Sequence, residues 1–514
     1  MKKVIQSFSL LLVIFLFIAG CGNNGQDDSA EGAEGDSDTL VLAQASDIPS
    51  IDPQNSLSTT GDRVHRNLFS RLFIWDNDLD LQEDLVDTYE QVDEETWHFH
   101  LKEGVTFHNG DSLTAEDVKF SLERVMTDET LKEYPYFGQL DEVNALDDLT
   151  VEIITDGPMP TLLNLLAKSG SDVLPKDYFE EVGVEEFQNN PIGSGPYKFV
   201  EWVKDDRVVL EANEDYFGED PKWQNVEVRA ITESSTRIGE LLTGGVDIIT
   251  DVPPNEWDRV DADPEASLIN GDTTRVNLLM VRTTDEYVTS DPLVREAIDL
   301  AIDNQAIIDS VLQGNGISVR TRVPEGVFGS ATELVDTQVH DVEKAKELLT
   351  EAGYPDGVDI TFTASRGRYP LDSEIAQLIG SMLEEAGFNV NLELLESSAF
   401  LDKYNSNSND ELIMIGLADG LLDASYSLVH YTEERAEGQT DYQNDEVEEL
   451  FNLAGRNLDE GEREEQYQRI QEIIAEERPH IFINQSVVSY GVSDYLNFEP
   501  RLDEVILFDN ITLN

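Results

Sequence analysis

Trp97-His98-Phe99-His100-Leu101-Lys102-Glu103-Gly104-Val105-Thr106-Phe107-His108-Asn109-Gly110, continuing into Leu113-Thr114-Ala115-Glu116-Asp117-Val118, is the stretch on which the fold turns. Residues 96–101 (TWHFHL) alternate in polarity, as a half-buried strand does. Asn109-Gly110 reads as a turn. Thr114 with Asp117 three residues on predicts a capped helix over 114–126, where Val118, Leu122 and Val125 share one face. His98 and His100 would lie on one strand face with His108 further along, a set that could hold nickel or zinc. The simpler reading, and the one adopted, makes them polar members of the strand, with no metal site.

Working outward, helices alternate with short strands. Leu40-Val41-Leu42-Ala43 reads as a buried strand. Residues 234–243 read as a helix with Ile238, Leu241 and Leu242 on one side, stopped by Gly244-Gly245 and followed by the strand Val246-Asp247-Ile248-Ile249. The apolar periodicity of 294–312 predicts one long helix or two short ones. Residues 341–352 form a helix closed by Gly353. Ile375, Leu378, Ile379, Met382, Leu383 and Ala386 make one stripe over 373–386, ended by Gly387, and Phe388-Val390-Leu392-Leu394 then has period two. Helices over 446–453 and 463–476 follow. The pattern is α/β, and 514 residues allow roughly two to four domains.

The charge is extreme: 106 acidic against 34 basic residues give −72. A nucleic-acid binder needs a basic footprint, and no basic run occurs, so nucleic acid is excluded as a partner. Acids spread along the whole body, with 21 Arg to 13 Lys, fit adaptation to high salt, where screening relieves self-repulsion.

The first twenty residues read as a targeting segment. Lys2 and Lys3 precede the apolar run 8–19, which is too short to span a membrane comfortably and suits an export signal. Ile18-Ala19-Gly20-Cys21 resembles a bacterial lipobox, which makes Cys21, the single cysteine, the site of lipidation. Acyl chains would then tether the protein to the outer face of the cell membrane or in the periplasm. Residues 21–38, rich in Gly, Ser, Ala and acids, form a flexible linker. Removal of Lys2 and Lys3 takes the charge from −72 to −74.

Enzyme signatures are missing. There is no P-loop, HExxH, GxSxG or GxGxxG, and Ile192-Gly193-Ser194-Gly195-Pro196 lacks the spacing of a nucleophile elbow. No catalytic residues and no cofactor are assigned.

Several segments, in order, resemble the family 5 solute-binding proteins of ABC importers, the oligopeptide- and dipeptide-binding lipoproteins. The 97–118 block is the most specific. Asn190-Pro191-Ile192-Gly193-Ser194-Gly195-Pro196-Tyr197, Asn213 with Tyr216-Phe217, and Leu241 to Asp247 follow. Val294-Arg295-Glu296-Ala297 with Ala301-Ile302-Asp303, and Glu351-Ala352-Gly353-Tyr354 with Asp356-Gly357, complete the series. Most of these read as signatures of fold. Gly193, Gly195 and Pro196 are expected in a tight crossover turn, and Asp117 and Asp303 as caps or braces.

The resemblance implies a type II periplasmic-binding-protein-like clamp of two α/β lobes, closing on a ligand. Lobe I would span 39–280, with an extra subdomain at about 85–190, and lobe II 281–484, with 485–514 returning to lobe I. It implies a monomer that does no covalent chemistry and delivers its ligand to permease and ATPase subunits. Peptide binders of the family place an Asp on the ligand ammonium and a cation on its carboxylate, because a buried zwitterion needs charge-assisted bonds at both ends. The matching acids are Asp419, then Asp423, in Gly416-Leu417-Ala418-Asp419-Gly420-Leu421-Leu422-Asp423-Ala424, where Leu417 replaces the family's Trp. The matching cation is Arg368, ahead of Arg366, in Ser365-Arg366-Gly367-Arg368-Tyr369-Pro370, with Tyr369 lining the pocket. The same fold could serve a glutathione-like compound, a nickel chelate, an oligosaccharide, or peptide sensing without import.

Overall fold

Two long strands, Ala266–Val281 and His480–Ser493, organise the chain. The computed structural model describes residues 38–514, so the signal segment, Cys21 and almost all of the linker lie outside the described residues. The two strands pair antiparallel in two separate runs. One goes from Ala266↔Ser493 to Asp272↔Val487, and the other from Val276↔Gln485 to Met280↔His480. The first run is flanked by Ile248–Ile249, then Thr39–Gln44, Asn225–Ala230, Arg207–Ala212 and Tyr197–Val203. The second is flanked by Leu412–Leu417, then the parallel strands Val358–Arg366 and Phe388–Glu396. One eleven-stranded sheet thus runs through both lobes of an α/β clamp.

The interruption between the two runs falls at residues 273–275, where the pairing shifts register. Thr273 Oγ1 donates to Ser486 O at 2.8 Å, Gln485 Nε2 donates to Thr273 O at 2.9 Å, and Thr274 N donates to Leu502 O at 2.9 Å. Both crossing segments are therefore tied at one level. This crossing, called the hinge below, lies a few residues before the 280/281 boundary expected from sequence.

The 97–118 block builds a separate four-stranded antiparallel sheet of Val86–Gln91, Thr96–Leu101, Thr150–Thr155 and Leu140–Asp147. Phe99 and Leu101 point into its core against Val118, Leu122 and Val125 of the helix Ala115–Thr127. Asp117 accepts from Thr114 N at 2.8 Å, closing the expected capping box. His98 and His100 serve as cross-strand partners, 3.0 Å from Glu152 and 3.2 Å from Thr150 Oγ1. His108 sits between Gly195 O (3.0 Å) and Gly193 N (3.2 Å), and burial lowers its pKa to about 4. Among the described residues, no group of three or more His, Cys, Asp or Glu is placed to hold a metal ion, and no helix is long and apolar enough to cross a membrane.

One open local expectation is decided and two change. The periodic stretch 294–312 is two helices, Pro292–Ala301 and Asn304–Ser310, because Ile302 is extended and Asp303 caps anew through Ala306 N at 3.0 Å. The last long helix is Glu460–Glu477, starting earlier than residue 463 because Asp459 caps it through Glu462 N at 3.0 Å. Gly193 and Gly195 do not serve a tight turn with positive φ. They let the chain press against Leu68, where a Cβ would lie 2.0 Å from Leu68 O at 193 and 2.7 Å from Leu68 C at 195.

Candidate functional site

The strand Leu412–Leu417 runs up to the hinge and ends in the loop that carries Asp419 and Asp423. Thr274 clips this loop to the hinge: its Oγ1 donates to Asp419 O at 2.9 Å and accepts from Asp419 N at 3.1 Å. The Asp419 carboxylate is buried. Oδ1 accepts from Leu421 N at 3.0 Å, and Oδ2 accepts from Ser427 Oγ at 2.6 Å. Burial pushes its pKa up to about 6, against the opposing pull of the Ser427 and Leu421 hydrogen bonds and the Arg322 charge. One Asp419 oxygen keeps acceptor capacity, since a carboxylate offers about four lone-pair positions.

Asp423 is engaged differently. Its Oδ1 accepts from Ser425 N at 3.0 Å, capping the helix Ala424–Leu428, and its Oδ2 forms a buried ion pair with Arg463. Both of its oxygens serve the loop. Between the two acids, Leu422 is held at φ 55°. The left-handed region is costly for a residue with a branched side chain, and such strain persists only where surroundings over-determine it.

The arginine loop meets this strand end from the side. Asp372 braces its backbone, accepting from Gly367 N and Arg368 N, each at 3.0 Å, and from Ser365 Oγ at 2.8 Å. Tyr369 Oη donates to Gly416 O at 2.9 Å, and Arg368 Nε donates to Tyr369 Oη at 2.9 Å. Arg368 and Tyr369 thereby stand beside the Asp419 loop, with Arg368 exposed. Arg366 is not brought to it: its side chain is 55% exposed and reaches Glu396 at 3.6 Å. This loop ends on another left-handed leucine, Leu371 at φ 57°.

Lobe I closes the arrangement from two directions. Arg275, in the hinge bulge, lies 5.9 Å from the Tyr369 ring centre and 3.4 Å from Glu504 of the returning C-terminal segment. From the subdomain, the Tyr136 ring stacks on Tyr426 at 5.2 Å, with hydroxyl oxygens 3.1 Å apart, and Asn164 Nδ2 donates to Leu421 O at 3.1 Å. Beneath Tyr136 lies the buried Lys168–Glu133 ion pair, where burial pushes Glu133 up to about 7 despite the lysine.

Of the five residues selected from sequence, Asp419 and Asp423 share one loop, Tyr369 reaches Gly416 at its base with Arg368 on Tyr369, and Arg366 stands apart. Thr274, Arg275, Asp372, Ser427 and Arg463 were not selected. Arg463 carries a readable signal: it falls on the stripe of Tyr467, Ile470 and Ile474, a buried face where a lone cation needs a partner. The gathered groups are charges and hydrogen-bonding side chains at the seam between two lobes, suited to holding a polar solute without covalent chemistry.

The profile of the bacterial extracellular solute-binding proteins, family 5, matches residues 80–439. The "Probable D,D-dipeptide-binding periplasmic protein DdpA" of Escherichia coli is 26% identical over 91% of this chain and 93% of its own. The glutathione-binding protein GsiB of Pectobacterium atrosepticum is 26% identical over 92% and 94%. Among solved structures, the periplasmic binding protein DppA of Helicobacter pylori, in complex with peptide STSA, superposes with a TM-score of 0.80 at 26% identity, covering 92% of this chain and 98% of its own. The profile covers well over half of the sequence, and the relatives are matched nearly end to end. The chain belongs to the family 5 bacterial extracellular solute-binding proteins.

Proposed function

We propose that this protein captures short peptides between its lobes and delivers them to an ABC permease, tethered outside the membrane through lipidated Cys21. The observation that carries the peptide reading is the Asp419 loop. A buried carboxylate with spare acceptor capacity is clipped to the hinge by Thr274 and held from the other lobe through Asn164 and the Tyr136–Tyr426 stack. An ammonium is the natural partner for such a group, and capture there would draw both lobes together. Asp419 is assigned to the ligand ammonium, Arg368 and Tyr369 to the opposite end, and Asp423 to loop support. Lobe II then runs from about residue 276 to 485, with lobe I on either side.

Peptide-binding and glutathione-binding relatives both support a ligand with a free amine and carboxylates. A glutathione-like compound is the second reading, favoured by the replacement of the expected Trp with Leu417, which removes an aromatic wall. Native mass spectrometry of protein purified from its host or from rich medium, followed by denaturing release, separates the two. A ladder of short peptides is expected. A single non-peptide mass would keep the clamp and overturn the peptide ligand.

A further inference from the structure

Next to the Asp419 loop, reached through Ser427, lies a cluster of buried nitrogens that the peptide site does not use. Arg322 is 2% exposed. Among the described residues, its guanidinium makes one hydrogen bond, Nη1 to Ser427 O at 2.6 Å, and Nε is buried without a partner. Other buried arginines that lack a carboxylate partner are better served: Arg237 donates to four carbonyls and Arg295 to three. Arg322 thus holds a full charge and five N–H donors on a single bond, which a buried cation does not ordinarily do.

Its neighbours are also unsatisfied. The short helix that begins beyond Asp423 leads from Ser427 into His430 and Tyr431. Tyr431 Oη lies 2.9 Å from His480 Nδ1, which brings in the second crossing strand. His430 is 8% and His480 1% exposed. His430 Nδ1 and His480 Nε2 are both buried without hydrogen-bond partners. Burial, together with the charges of Arg322 and Arg435, keeps both rings neutral, so each can present an N–H. The one carboxylate acting on Arg322 is Asp419, and that carboxylate is turned to Ser427 Oγ.

We propose that Arg322, His430 and His480 form a buried site for a small monovalent anion of chloride size. Its ligands are Arg322 Nε–H and the free ring N–H groups. The anion supplies the counter-charge Arg322 lacks, and it stiffens the Ser427 turn that holds Asp419 in place. Unpartnered buried donors of this kind call for an ordered water or an ion. The Arg322 charge selects the ion.

The test uses the mature chain in two arms. In the first, crystals soaked in sodium bromide are examined for anomalous scattering. A bromide peak in contact with Arg322 Nε and His480 Nε2 is expected, while a water at that position overturns the proposal. In the second, melting temperature is followed as sodium chloride replaces sodium gluconate at constant ionic strength. A saturating rise is expected in the native chain and its loss in Arg322→Met. An equal rise in both overturns the proposal. Should Arg322→Met fail to fold, the bromide result on the native chain still decides.

Discussion

Arg463→Met tests the support of the ligand loop. Arg463 and Asp423 are 5% and 3% exposed, so solvent screening gives little relief when one partner is lost. Removing one member of a buried pair strands the other, at a cost of about 3–5 kcal/mol. Methionine keeps an aliphatic stem but removes the guanidinium, which lies 4.5 Å from the Phe328 ring centre, so the loss joins the ion pair to that cation–π contact. Asp423 still caps its helix through Ser425 N at 3.0 Å, which limits the damage to the pair. An unfolding entropy of about 2.1 cal/mol/K per residue comes to roughly 1 kcal/mol/K for a chain of this size, so the expected fall in melting temperature is about 3–5 °C. Adding Asp423→Asn removes the stranded charge and keeps the cap, and is expected to restore about 2 kcal/mol or more. The assay is a double-mutant cycle by chemical denaturation at neutral pH. A single variant within about 1 kcal/mol of native, or a coupling energy near zero, would refute the argument that this pair anchors the loop.

Other outcomes follow from the same structure. Asp419, raised to about 6 by burial, must be ionised to hold an ammonium. Peptide affinity should therefore be flat above pH 6 and weaken by up to about tenfold per unit below it, with Asp419→Asn abolishing the slope; calorimetry at stepped pH checks this. Gly193→Ala would put a Cβ 2.0 Å from Leu68 O, where only backbone movement gives relief, so a loss of about 3 kcal/mol or more is expected in urea titrations. The charge of −74 after processing should make melting temperature rise between about 0.1 and 1 M sodium gluconate, as screening shortens the Debye length from about 10 to 3 Å; a flat response would remove the salt-adaptation argument.

What the sequence disclosed follows the range of the interactions involved. The capping box at Thr114 and Asp117 and the stripe ending at Gly387 were legible because their partners lie within one or two helical turns. The break in the strand Ala266–Val281 was not, since nothing in that segment announces that its pairing with His480–Ser493 is interrupted after residue 272 and resumes at 276. The two glycines of the Ile192 to Pro196 segment were visible, but their reason, contact with Leu68, lies more than a hundred residues away. The choice between Asp419 and Asp423 depends on Arg463, forty positions downstream of Asp423. Arg366 and Arg368 look equivalent in sequence, yet they diverge because the bracing of the loop by Asp372 aims only one of them at Tyr369.

The central claim is that Asp419 receives the ligand ammonium at the seam of the lobes. The most direct measurement compares the affinity of one short peptide with that of its N-acetylated form, in the native chain and in Asp419→Asn. The native chain should lose about 2 kcal/mol or more on acetylation, roughly thirtyfold, because a buried charge is left without its partner. The variant should bind both forms with similar, weak affinity. If Asp419→Asn discriminates between the two peptides as strongly as the native chain does, the ammonium is held elsewhere and the assignment is wrong.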